Sequence, residues 1–232
     1  MTAQAGGAFP FPPDPAVPSM AQPTAETRAA RHRLRALRLA LPRHARLAAE
    51  GAITDTLRHM RVFGSGTRVA VYLAMPGEVN LGAVIEAARR AGSTLYVPRV
   101  TSRRRGTMEF APLQPGSRLR ANGYGIAEPV AAGEARLEPL RLDTILVPVV
   151  GFDRNGNRLG MGAGYYDRAL RHLRDRGRRW RRPRLVGVAY SCQEVESIVP
   201  SRWDVPLDLI VTEHGIVVPG RSRADGLERG NA

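Results

Sequence analysis

Two periods alternate along this chain. From residue 27 to 41, leucines and alanines are interleaved with arginines in the manner of a basic amphipathic helix, which Pro42 closes. A second helix is expected from Pro42, a residue suited to a first helical position, to about Val62, before Gly64-Ser65-Gly66 breaks the pattern. Residues 68–75 (RVAVYLAM) are a short, mostly apolar run of the buried-strand type, and residues 81–91 return to helical spacing and stop at Gly92. Residues 94–100 predict a strand and 108–113 an edge-like one, while 143–150 (DTILVPVV) is the strongest buried-strand candidate despite Pro148. Beyond a glycine-rich loop, 165–173 is expected to be helical, with strands at 185–190 and 207–212. Strands alternating with helices imply crossover connections. The expected fold is α/β: a three-layer, single-domain arrangement with a mainly parallel sheet and helices on both faces. Ligands of such sheets bind beyond the carboxyl ends of the strands.

Composition narrows the class. The 232 residues suffice for one domain with a real core, and 43% hydrophobic with 24% charged residues is close to globular averages. No apolar stretch approaches the roughly 18–20 residues of a membrane span, and residues 1–20 lack the basic and apolar regions of a secretory signal. One cysteine, Cys192, excludes an internal disulfide and a multi-cysteine zinc site. The expectation is a soluble, cytoplasmic protein, monomeric and without a membrane partner. Residues 1–25, rich in Pro, Ala and Gly, read as a disordered tail, 26–218 as the folded domain and 219–232 as a flexible C-terminal tail.

Charge adds a local signal. Every one of the 35 basic residues is arginine, and the net charge is +14. Residues 28–46 carry seven Arg and no acid, whereas 171–184 carry eight Arg and only Asp175; together these two segments account for the whole excess.

Most of the chemistry lies in VPVVGFDRNGNRLGMGAGYYDR, residues 147–168. A buried strand ends at Gly151, a turn follows, and Gly160, Gly162 and Gly164 lead into the helix that starts near Tyr165. Glycine at every second position lets successive N–H groups point into one concavity, to which a helix N-terminus adds partial positive charge. Arg158 adds a guanidinium, and Asp167 in the first helical turn could hold magnesium. Tight packing explains such a glycine loop equally well, and a first-turn Asp also serves as a dipole partner. The loop is neither a Walker A motif nor a dinucleotide fingerprint.

This segment resembles the signature of the 5-formyltetrahydrofolate cyclo-ligases, or methenyltetrahydrofolate synthetases. The resemblance runs from about residue 27 to 218, through YLAMPGEVN (72–80), YVPRV (96–100), GYGIAEP (123–129), LDTILVPVVGFD (142–153), VGVAY (186–190) and VPSRWDVPLDLIVTE (199–213). It implies an ATP- and magnesium-dependent closure of 5-formyltetrahydrofolate to 5,10-methenyltetrahydrofolate through an iminium phosphate, releasing ADP and phosphate. By the same resemblance ATP meets Arg28, Arg31, Arg158, Leu159, Gly160, Met161, Gly162, Ala163, Gly164, Tyr165 and Tyr166. Met161 and Ala163 fill positions where some relatives carry cations. Thr27 stands where the family has Lys, so Arg28, or else Arg35, replaces it. Leu73, Glu78 and Tyr124 are implied for the folate, with Glu78 accepting paired hydrogen bonds from the pterin and Tyr124 stacking on a ring. Asp167 and Asp204 are implied as Mg2+ ligands, although an Asp that starts the turn before Pro206 is an equal reading of Asp204.

Two other classes remain. A non-catalytic relative would bind nucleotide without turning over folate. A nucleic-acid binder would use RHLRDRGRRWRRPR (171–184), whose single Trp180 gives little aromatic interleaving; binding of nucleic acid is not expected.

Overall fold

A computed structural model describes residues 24–130, 137–175 and 183–220. In chain order the elements are α1 (Ala25–Ala40), α2 (Arg43–His59), β1 (Arg68–Ala70), α3 (Gly82–Arg90), β2 (Thr94–Ser102), β3 (Thr107–Pro112), β4 (Leu119–Ala121) and β5 (Ala127–Pro129). They continue as β6 (Thr144–Pro148), β7 (Gly151–Phe152), β8 (Arg158–Leu159), α4 (Tyr165–Asp175), β9 (Arg184–Val188), β10 (Leu209–Thr212) and β11 (Gly215–Val217).

Seven strands form one sheet in the order β11-β10-β9-β6-β1-β2-β3. The five inner strands are parallel, and β3 and β11 close the edges antiparallel. All four residues of Thr144–Val147 in β6 are buried, as a central strand covered on both faces requires. Ile53 and Leu57 of α2 and Val84 and Ala88 of α3 pack with Val69, Val97 and Val186 on one face. Leu170 and Leu173 of α4 pack with Ala70, Ile145 and Ile210 on the other. The expected α/β architecture, with helices on both faces of a mainly parallel sheet, is the one observed.

Helix α1 opens on Thr24, whose Oγ1 accepts from the Thr27 N–H at 3.1 Å, and Pro42 ends it. The tail expected over residues 1–25 and the one over 219–232 fall almost wholly outside the described residues, as does half of the Arg-rich run 171–184.

Three local features differ from the sequence pattern. The run 68–75 leaves the sheet after Ala70: the Val71 N–H still donates to Tyr96 O at 2.8 Å, and the chain then turns at Gly77, which has φ +82°. Two short hairpins, β4–β5 and β7–β8, occupy stretches that read as loops. The final strand β11 pairs back on β10 through a turn at Glu213-His214.

Candidate functional site

The sheet order contains a reversal. After β1 the chain builds outward through β2 and β3, and after β6 it builds the opposite way through β9, β10 and β11. β1 and β6 are neighbours, so the loops leaving their carboxyl ends diverge and open a crevice between them. The loop after β1 carries Leu73 and Glu78; the segment after β6 carries Arg158 and the glycine loop.

Helix α1 bridges this crevice. A Cβ on Gly77 would lie 2.8 Å from Leu39 Cδ2, and one on Gly151 would meet Leu34 Cδ1, so two glycines let α1 settle on the loops. Arg31 donates Nε to Gly160 O at 2.9 Å. One turn after Leu34, the buried Arg38 donates Nη1 to Val149 O at 3.4 Å and approaches Glu78 Oε1 at 3.9 Å. One helix therefore touches both halves of the site.

On the glycine side, Met161, Gly162 and Ala163 are exposed, and Gly162 and Gly164 have φ of +99° and +64°, the left-handed backbone that points N–H groups into a concavity. Arg31 lies against Gly162, 3.5 Å from where a Cβ would stand. Tyr165 opens α4, and the Tyr166 hydroxyl is buried with no hydrogen-bond partner among the described residues. Burial pushes the Arg31 guanidinium down, opposed by the charge of Asp204. Arg28 is exposed one turn earlier. Arg35 lies close enough for its charge to act on Glu78.

Arg158 does not extend into the concavity. Its buried guanidinium donates to Val205 O and to Asp167 Oδ1, lashing β8 to α4 and to the 201–206 turn. Asp167 Oδ1 also accepts from Val205 N at 3.4 Å. Asp204 closes its own turn, with Oδ2 accepting from Ser201 N at 2.8 Å. Burial first, and then the charge of Asp167, raise the Asp204 carboxyl. Asp167 is thus near enough for its charge to act on Asp204, and Asp167 Oδ2 and Asp204 Oδ1 make no hydrogen bond among the described residues. Among the described residues no group of three or more His, Cys, Asp or Glu could hold a metal. Two hard carboxylate oxygens beside a phosphate-type cradle are nonetheless the donor set a magnesium ion shares with nucleotide phosphates.

On the other side, Glu78 is nearly buried, and its Oε2 accepts from Met75 N at 3.0 Å. Burial raises its carboxyl; that backbone bond and the charges of Arg38 and Arg35 oppose the rise. Leu73, on the same loop, packs at the rim of the core. Tyr124, in the β4–β5 turn, is exposed, and its hydroxyl lies 2.9 Å from that of Tyr165. Burial and this contact push Tyr165 up to about 12. Tyr124 therefore stands at the mouth of the glycine loop, about 40 residues away in sequence.

Two contributors escape sequence reasoning. Arg38 was one arginine among many, although a charged residue four positions from an apolar anchor lies on the buried face. Asp153, fully buried, accepts from Asn155 N, Asn157 N and Nδ2, and Ile198 N, and so fixes the β7–β8 turn that aims Arg158.

The chain is similar to known proteins over most of its length. A family model described as the 5-formyltetrahydrofolate cyclo-ligase family matches residues 23–213. A 5-formyltetrahydrofolate cyclo-ligase of Haemophilus influenzae is 32% identical over 182 residues, 77% of this chain and 92% of that protein. One from Escherichia coli is 38% identical over 146 residues, 62% of this chain and 76% of that protein. The solution structure of Aquifex aeolicus 5,10-methenyltetrahydrofolate synthetase superposes with a TM-score of 0.69 at 28% identity, covering 89% of this chain and 99% of that one.

Proposed function

The chain belongs to the 5-formyltetrahydrofolate cyclo-ligase family, and from that premise we propose that it closes 5-formyltetrahydrofolate to 5,10-methenyltetrahydrofolate at the expense of ATP. The observation that carries the reading is the crevice between β1 and β6, with an anion cradle on one wall, the buried carboxylate of Glu78 on the other, and α1 gripping both.

The 5-formyl oxygen attacks the γ-phosphorus and the bond to ADP breaks, giving an iminium phosphate. The lone pair of N10 attacks the formyl carbon, N10 loses its proton, and the C–O bond breaks to release phosphate. No protein nucleophile is needed; positioning and charge neutralisation suffice. Gly160–Gly164 and the first turn of α4 offer N–H groups to the phosphates, and Arg31, with Arg28 a turn away, adds positive charge. Glu78, ionised, accepts two hydrogen bonds from the aminopyrimidine edge, and Leu73 and Tyr124 supply apolar contact to the rings. Asp167 and Asp204 would hold Mg2+, which supplies charge neutralisation at the transferring phosphoryl group. Arg158 acts by orienting Asp167. Among the described residues no helix is long and apolar enough to cross a membrane, and a cytoplasmic monomer is the state in which we expect the protein to work.

Substrate labelled with oxygen-18 in the formyl group tests the reaction and its first step together. The reading predicts methenyl product and labelled inorganic phosphate in equal amounts. Absence of methenyl product would remove the function; product with unlabelled phosphate would remove the phosphorylated intermediate.

A further inference from the structure

The stretch Glu78-Val79-Asn80 closes the loop between β1 and α3, and three contacts hold it. Arg38 of α1 approaches the Glu78 carboxylate at 3.9 Å, the Tyr72 hydroxyl donates to Val79 O at 3.1 Å, and Asn80 N donates to Glu50 Oε1 at 3.0 Å. The last contact comes from α2. A glutamate inside a helix ordinarily faces water or a cation about four residues away. Glu50 makes no ion pair among the described residues; its Oε1 instead accepts a second hydrogen bond, from the Tyr190 hydroxyl at 2.9 Å. One carboxylate oxygen therefore joins the exit of the Glu78 loop to the segment that leaves β9.

Tyr190 is fully buried, and the described residues offer its hydroxyl no other acceptor, so the pair is costly to break. From Tyr190 the contacts continue round the crevice. Its N–H donates to Gln193 Oε1 at 2.9 Å, and the buried Gln193 donates Nε2 to Val149 O at 2.7 Å and to Val150 O at 3.0 Å. Val149 O is also the acceptor that Arg38 uses. Glu213, just past β10, fastens the same turn by accepting from Ser191 N at 3.0 Å and from Ser191 Oγ at 2.6 Å. The circuit closes on itself: Glu78, Arg38, Val149, Gln193, Tyr190, Glu50 and Asn80, through the carboxyl ends of β1, β6 and β9.

We infer that Glu50 is a positioning residue for Glu78: Arg38 sets the carboxylate, Glu50 sets the backbone two residues further on, and Tyr190 holds Glu50 in place. This inference rests on the cyclo-ligase reading. Glu50 meets no reacting atom and acts through the Asn80 N–H, a charge-assisted bond of the stronger kind. A loop anchored on both sides of its functional carboxylate has less freedom to lose when a ligand binds, so the contact is expressed in folate affinity and not in the chemical step.

The test uses Glu50→Ala, Glu50→Gln and Tyr190→Phe in the full chain, with steady-state kinetics for both substrates and amide hydrogen exchange at Asn80. In Glu50→Ala the folate KM should rise about tenfold, while KM for ATP and kcat at saturating folate stay within about twofold. The Asn80 amide should exchange about tenfold faster in the same variant. Gln keeps an acceptor oxygen, so Glu50→Gln should lie within about threefold of the wild type on both readouts. Tyr190→Phe keeps the ring that fills the core and should raise the folate KM about threefold. A folate KM within about twofold of wild type in Glu50→Ala, or equal rises for folate and ATP, would overturn the inference. So would a Glu50→Gln variant as impaired as Glu50→Ala. Should Glu50→Ala fail to fold, Tyr190→Phe decides, and an unchanged folate KM there would overturn the inference. No turnover by the wild type would remove the cyclo-ligase reading itself; Asn80 exchange left unaltered by Glu50→Ala would overturn the positioning role independently of turnover.

Discussion

Glu78 and Arg38 form the pair on which the proposed folate half of the site turns. Arg38 is 2% exposed and its Nε has no hydrogen-bond partner among the described residues, so Glu78 is its principal counter-charge. Arg38→Met would leave the Glu78 carboxylate buried with less compensation, and such losses are costly. We expect KM for the folate to rise about tenfold, equivalent to about 1.4 kcal/mol, with a smaller change for ATP. Burial holds the Glu78 carboxyl above the ordinary carboxylate range, so its ionised form is lost as pH falls through that raised value. The folate kcat/KM should therefore decline on the acid side at a pH above about 4.3, and in Arg38→Met the limb should move higher still. An acid limb unmoved by Arg38→Met would separate the two residues. The raised carboxyls of Glu78 and Asp204 favour the proton in the folded state. Their contribution to stability is complete below the unfolded value and declines as pH rises through the folded one, so both weigh on the fold at neutral pH. Asp204→Asn removes a carboxylate oxygen that makes no hydrogen bond among the described residues; the magnesium concentration giving half-maximal rate should rise by about tenfold or more. Asp167→Asn should cost activity and also about 2 kcal/mol of stability in a denaturant titration, because the buried Arg158 loses its carboxylate. At this scale the candidates Glu78, Asp167 and Asp204 can be picked out in the sequence because they sit in motifs. The inward turn of Arg158 cannot, because it depends on Val205 and Asp167 arriving from two other elements.

Helix α1 is the element that makes two loops into one site. It is legible as a basic amphipathic helix, but its place across the strand ends is not, because that depends on Gly77 and Gly151, each of which resembles an ordinary turn glycine until Leu39 and Leu34 are set against it. Gly77→Ala tests the contact: it adds a Cβ 2.8 Å from Leu39 and puts a non-glycine residue at φ +82°. A loss of about 1–2 kcal/mol is expected by chemical denaturation, with a higher KM for folate. Unchanged stability and KM would mean that α1 does not rest on this loop. The parallel strands are readable because burial on both faces gives continuous apolar runs such as TILV in β6. The hairpins β4–β5 and β7–β8 have strands of two or three residues, too short for any alternation to show. Tyr124 and the 103–105 turn are brought to the glycine loop by those hairpins and by Arg168, long-range contacts with no local signature.

For the molecule as a whole, the fold class follows from the alternation of strands and helices, and the place of the site follows from the strand order, which the alternation does not give. β1 and β6 could each have been followed by strands on the same side; the crevice exists because they were not. The charge of +14 is compatible with phosphate-bearing ligands of any size. Salt separates them: nucleic-acid binding falls steeply as salt rises, whereas ATP-dependent turnover of the folate should change only a few-fold over the same range. The central claim is that the two walls of one crevice join ATP to a folate. Absorbance in the methenyl-folate band tests it most directly, followed while purified protein is mixed with 5-formyltetrahydrofolate, ATP and magnesium, each omitted in turn, beside Glu78→Ala. The account predicts a rise that requires all three and is lost in Glu78→Ala. A rise without ATP, a rise that persists in Glu78→Ala, or no rise from correctly folded wild-type protein would contradict it.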